Sequence, residues 1–123
     1  KFWKQGSKNQ RRKSPILMAN LYKNVKLDLS TTNLTNVITA PTGSTIIVKS
    51  ILVSEDSGST PNITITLVES SNICSIFKSK ALSANQTLEL LDKPLVIQAG
   101  EILKAQASAA NQLHLIVSYL EIT

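Results

Sequence analysis

The 123-residue sequence contains one cysteine and one histidine, and few aromatic residues, glycines or prolines. With Cys74 alone, no disulfide can form within the chain. Its alternating surroundings, "NICSIFKSK", predict a buried thiol acting as a small hydrophobe. One cysteine and one histidine cannot supply a zinc cluster. They also leave His114 as the sole imidazole for activating a nucleophile. His114 falls in the middle of the most hydrophobic segment and reads as an ordinary face or edge residue. The four glycines are isolated, so no phosphate-cradling loop is signalled. The eight acids lie mostly near the ends of extended segments or in turns, where they are expected to face solvent. "SEDSGS" lacks the ligand spacing and terminal Glu of a calcium loop. No catalytic residue, metal ligand or cofactor is expected, and the chain does not read as an enzyme.

No apolar run approaches the roughly 18 residues of a membrane-spanning helix, and no membrane partner is expected. No signal-peptide core follows the basic start, so the sequons at Asn33, Asn62 and Asn85 read as chance products of a chain rich in Thr and Asn. Aromatics make up 4% of the sequence. A carbohydrate-binding or host-attachment module would have to line a concave site with Tyr22, Phe77 or Tyr119, the only aromatics beyond the first three residues.

Negative charge is missing from the start of the chain. Residues 1–13 hold Lys1, Lys4, Lys8, Arg11, Arg12 and Lys13 and no acid, a charge of +6, whereas the remaining residues hold 7 basic and 8 acidic groups, a net −1. The formal +5 therefore belongs to a basic arm on a near-neutral body. The arm has no sustained period, and its like charges repel, so an extended segment is expected. Pro15 biases Ser14 toward an extended geometry as the chain enters the body.

Leu, Ile and Val fill the body in period-two patterns. "LYKNVKLDL" places Leu21, Lys23, Val25, Leu27 and Leu29 on one parity. "TIIVKSILVSE" is a long β-branched run, which favours extended backbone. "NITITLVES" sets Ile63, Ile65 and Leu67 against Thr64, Thr66 and Val68. "QLHLIVSYLEI" sets Leu113, Leu115, Val117 and Tyr119 against His114, Ile116, Ser118 and Leu120. "PTGS", "DSGSTP", "SANQ" and "AGE" mark turns. The window "SKALSANQTLELL" is compatible with a helix, but its Ser, Asn and Thr content favours a hairpin. Breaks every 8 to 12 residues predict an all-β fold, an antiparallel, jelly-roll-like β-sandwich of about eight strands. The expected division is a basic extended arm over 1–17 and a sandwich domain over 18–123.

From Met18 onward the sequence resembles small β-sandwich structural proteins of tailed-bacteriophage virions. The resemblance is carried by "MANLYKNVKLDL", by the "VITAPTG" turn leading into "VKSILVS", and by "LDKPLVIQAGEILKAQA" before the final "VSYLEI". It covers residues 18–122. Such proteins tend to begin near the equivalent of Met18, which marks 1–17 as an added arm. The opening at Lys1 leaves two readings, a start outside this sequence or proteolytic maturation.

The resemblance implies a non-enzymatic virion protein, a capsid decoration or cement protein first and a head–tail connector, tail or baseplate component second. It implies other virion proteins as partners, the major capsid protein or head–tail and tail subunits, together with copies of the chain itself. It places the chain in the virion, and in the host cytoplasm before assembly. The arm residues expected to make contact with protein or nucleic acid are Trp3, Lys8, Arg11, Arg12 and Lys13. A nucleic-acid-binding module acting through the arm is a rival reading, because basic side chains displace phosphate counterions whatever the sequence.

Overall fold

The computed structural model describes residues 19–123. Those residues form nine strands and no helix: β1 (Asn20–Leu29), β2 (Thr35–Thr39), β3 (Thr45–Glu55), β4 (Asn62–Glu69), β5 (Asn72–Ala81), β6 (Thr87–Glu89), β7 (Leu95–Ile97), β8 (Ile102–Ala107) and β9 (Leu113–Ile122). One sheet runs β1-β9-β3-β6, with β7 also on β3, and the other runs β2-β8-β4-β5. All pairings are antiparallel. First pairs with last, second with second-last, β3 with β6 and β7, and β4 with β5, so the chain is one long hairpin rolled into two sheets. That winding is a jelly roll, and it agrees with the sandwich the alternation predicts.

The core lies between the two inner faces. Ile46, Val48, Ile51 and Val53 of β3 meet Leu113, Leu115 and Val117 of β9, and opposite them lie Ile63 and Ile65 of β4 with Leu103, Ala105 and Ala107 of β8. Every one of these side chains is at most 2% exposed. The parity predicted for β9 and for Ile63 and Ile65 is the one observed. In β1 it decays along the strand: Leu29 is buried, Leu27 and Val25 are half-buried, and Lys23 and Leu21 are exposed. The first half of β1 thus overhangs the core.

Two stretches differ from expectation. Cys74 is exposed rather than buried. β5 is an edge strand whose register with β4 shifts twice, between Ile63 and Ile65 and again between Ile65 and Thr66. Each bulge switches the parity that faces inward, so a single alternation drawn through "NICSIFKSK" does not map onto inside and outside. The window "SKALSANQTLELL", for which a hairpin is favoured over a helix, holds no helix but is not a hairpin either: its strand, turn and strand cross between the sheets, β5 pairing with β4 and β6 with β3. Gln86 donates its N–H to the Ser83 carbonyl, Ser83 donates back to Gln86 Oε1 at 2.8 Å, and Asn85 adopts a φ of 58°.

"TLELLDKPLVIQ" yields only the three-residue β6 and β7, separated by a gap beside a bulge in β3 at Lys49. The Glu89 carboxylate fills that gap. Its Oε2 accepts the Ile51 N–H at 2.8 Å and the Leu91 N–H at 3.2 Å, and Oε1 accepts the Ser50 hydroxyl. A side chain does there what a neighbouring strand's carbonyl would do.

Candidate functional site

The arm residues Trp3, Lys8, Arg11, Arg12 and Lys13 lie outside the described residues. In the body, Glu55 and His114 are engaged in holding the fold. Glu55 ends β3 and is 1% exposed, contrary to its expected place among the solvent-facing acids. Its carboxylate accepts N–H groups from Ser57 at 3.0 Å, Gly58 at 3.1 Å, Ser59 at 3.2 Å and Asn85 at 2.8 Å, and also the Ser57 hydroxyl. These donors, led by Ser57, hold its pKa down to about 2 despite the opposing effect of burial. The "SEDSGS" loop is therefore wrapped around an anion of its own chain. Gly58 takes a φ of +81°, which lets the turn close.

His114 lies on the outer face of its sheet, opposite Asp28 in the β1–β9 register. Its Nδ1 is 2.5 Å from Asp28 Oδ1, and its Nε2 is 3.1 Å from Asp56 Oδ2. The hydrogen bond to Asp28 raises its pKa first, against the opposing effect of desolvation, and Asp56 adds to the rise. With a carboxylate on each ring nitrogen, the imidazole has none free to take a proton from a nucleophile. It works as a clamp joining β1, β9 and the loop after β3. Among the described residues, no group of three or more His, Cys, Asp or Glu side chains is placed to hold a metal.

Of the three body aromatics, Tyr22 is 78% exposed, whereas Phe77 and Tyr119 are half-buried and pack against the core. Tyr22 and Tyr119 border an open depression of about 480 Å³ together with Asn24, Lys49 and Ser118. Phe77 is absent from it. A second, polar depression of about 310 Å³ lies on the other sheet between Thr64, Ser79 and Gln106.

One feature on the outside of the first sheet is apolar. Tyr22 of β1 sits opposite Leu120 of β9, Leu120 opposite Ile47 of β3, and Ile47 opposite Val96 of β7. Directly opposed residues share a face, so these four form one row across the outside of the sheet. Val96 is 50% exposed, and Ile116, further along β9, is 39% exposed. The sequence displays each of these residues, but nothing in it shows that they line up.

No family model matches the chain, and no curated protein matches it. Solved structures do resemble it. A pentameric capsid protein isolated from metagenomic phage sequences is 17% identical over 80% of this chain, with a TM-score of 0.45, and this chain spans 58% of that one. The acid-stable capsid structure of Helicobacter pylori bacteriophage KHP30 is 10% identical over 87% of this chain and 94% of that chain, with a TM-score of 0.49. The virus-like particle of the extra small virus of the prawn Macrobrachium rosenbergii is 8% identical over 90% of this chain and 82% of that chain, with a TM-score of 0.41.

Proposed function

We propose that this chain is a non-enzymatic structural component of a tailed-phage particle, a capsid decoration or cement protein that docks on neighbouring virion subunits through its N-terminal arm. The observation that carries the reading is the row Tyr22–Leu120–Ile47–Val96, an apolar line on the outside of a body whose Glu55 and His114 fasten its loops. The row is exposed at its ends, Tyr22 and Val96, and half-buried at Leu120 and Ile47, and apolar surface left open in this way marks a contact with another macromolecule. The sequence resemblance over residues 18–122 supplies the class of particle, and the concentration of +6 in residues 1–13 supplies the docking element.

The test is occupancy on particles assembled with and without residues 1–17. The truncated chain should be folded yet depleted from purified particles; equal occupancy would overturn the role of the arm.

A further inference from the structure

The two long edge strands are built differently. β5 is interrupted by two bulges and carries Lys78 and Lys80, with Ser79 at a φ of 53°. These are the devices that keep a sheet edge from pairing. β1 pairs with β9 through ten consecutive residues without a register shift, and no second strand pairs with it among the described residues.

Thr123 donates its N–H to the Ala19 carbonyl at one end of β1, and Asn111 donates to the Leu29 carbonyl at the other. Backbone groups in an antiparallel ladder alternate in direction. The odd-numbered residues therefore point their N–H and C=O toward β9, and Asn20, Tyr22, Asn24, Lys26 and Asp28 point theirs outward. Among the described residues, only the Asp28 carbonyl of these groups has a backbone partner, the Ser30 N–H at 3.0 Å.

We infer that β1 is the pairing edge for a second copy of this chain, joined antiparallel about a two-fold axis at Asn24, so that two five-stranded sheets become one. The side chains of β1 are self-complementary in that register. Asn24 meets the partner's Asn24, and Tyr22 lies beside the partner's Lys26, an aromatic–cation pair. Asn20 meets the partner's Asp28, and the exposed Leu21 covers the partner's Leu27. No like charges oppose each other. Shifting the axis to Lys26 would set lysine against lysine, a repulsion that selects against that register.

Lys23, which would otherwise guard the edge, is drawn to its own β9 by Glu121 at 2.7 Å. Lys26 is held by the Asn24 side chain at 2.8 Å. Pairing accounts for two exposures that the monomer leaves unexplained, Leu21 at 49% and Tyr22 at 78%.

This pairing deepens the assembly reading and rests on it for its biological setting, yet it is tested on the isolated full chain, apart from any particle. Sedimentation or light scattering should give twice the monomer mass, and amide exchange should show Tyr22, Asn24 and Lys26 protected in the dimer. Asn24→Pro removes an outward N–H without touching the ladder to β9, and Leu21→Asp places a charge against the partner's Leu27. Both should run as folded monomers, whereas Ile73→Asp on the β5 edge should remain dimeric. A monomeric unmodified chain, a dimer that survives both β1 substitutions, or free exchange of those three amides would each overturn the pairing. Occupancy on particles is a separate measurement, so failure here leaves the virion role to its own test.

Discussion

Glu55 shows how one side chain can organise two loops. Four backbone N–H groups from the 55–59 turn and from Asn85 converge on its carboxylate. Replacing it with Gln keeps the shape but presents an amide NH₂ where only acceptors are wanted, leaving backbone N–H donors without an acceptor. Glu55→Gln should lower the thermal midpoint at neutral pH. Because the folded pKa is depressed to about 2, the contribution of the carboxylate is complete above the ordinary glutamate range and is lost as pH falls toward that value. The acid limb of a stability-against-pH curve should therefore flatten in the variant; an unchanged limb would mean that the carboxylate is not the linked group. His114 has the opposite sign. Its raised pKa makes its clamp fully present below the ordinary histidine value and weaker as pH rises through the folded one.

At the scale of elements, stability should follow position in the roll. β3 and β9 lie between other strands and supply most of one core wall, whereas β5 lines an edge with a mostly exposed burial pattern. Ile51→Ala opens a cavity at a fully buried position and should cost about 2–5 kcal/mol in urea denaturation. Ile73→Ala, at 63% exposure, should stay within about 0.5 kcal/mol. Similar costs at the two sites would contradict the core drawn here. The pattern of β9 was readable because its residues 113–117 alternate strictly against a single core face. β3 was readable as a long β-branched run even though its bulge at Lys49 switches the buried parity from Ile46 and Val48 to Ile51 and Val53. The patterns of β5, β6 and β7 were not readable: bulges break the first, and the Glu89 side chain stands in for backbone between the other two. Neither device has a local sequence signature.

For the whole molecule, the separation of charge between arm and body predicts that the two are separable. A chain lacking residues 1–17 should keep the β-rich circular dichroism spectrum and the thermal midpoint of the full chain. If the arm contacts nucleic acid, binding of the full chain to duplex DNA should fall steeply with ionic strength and vanish on truncation. Retained DNA binding by the body alone would move the electrostatic role out of the arm.

The sequence by itself determined the all-β class, the antiparallel sandwich, the alternation of β9 and most of the turns, because each depends on residues close together in the chain. It also located the charge, which is a matter of counting. The tertiary structure alone decided that Cys74 is exposed, that Glu55 is buried inside its loop, that His114 is clamped between Asp28 and Asp56, and that Tyr22, Leu120, Ile47 and Val96 share one row. The His114 clamp and the apolar row depend on register between strands far apart in sequence, which is set by how the whole roll closes around its core. Cys74 instead follows the bulged β4–β5 pair, and Glu55 the closure of its own loop and of Asn85 over it.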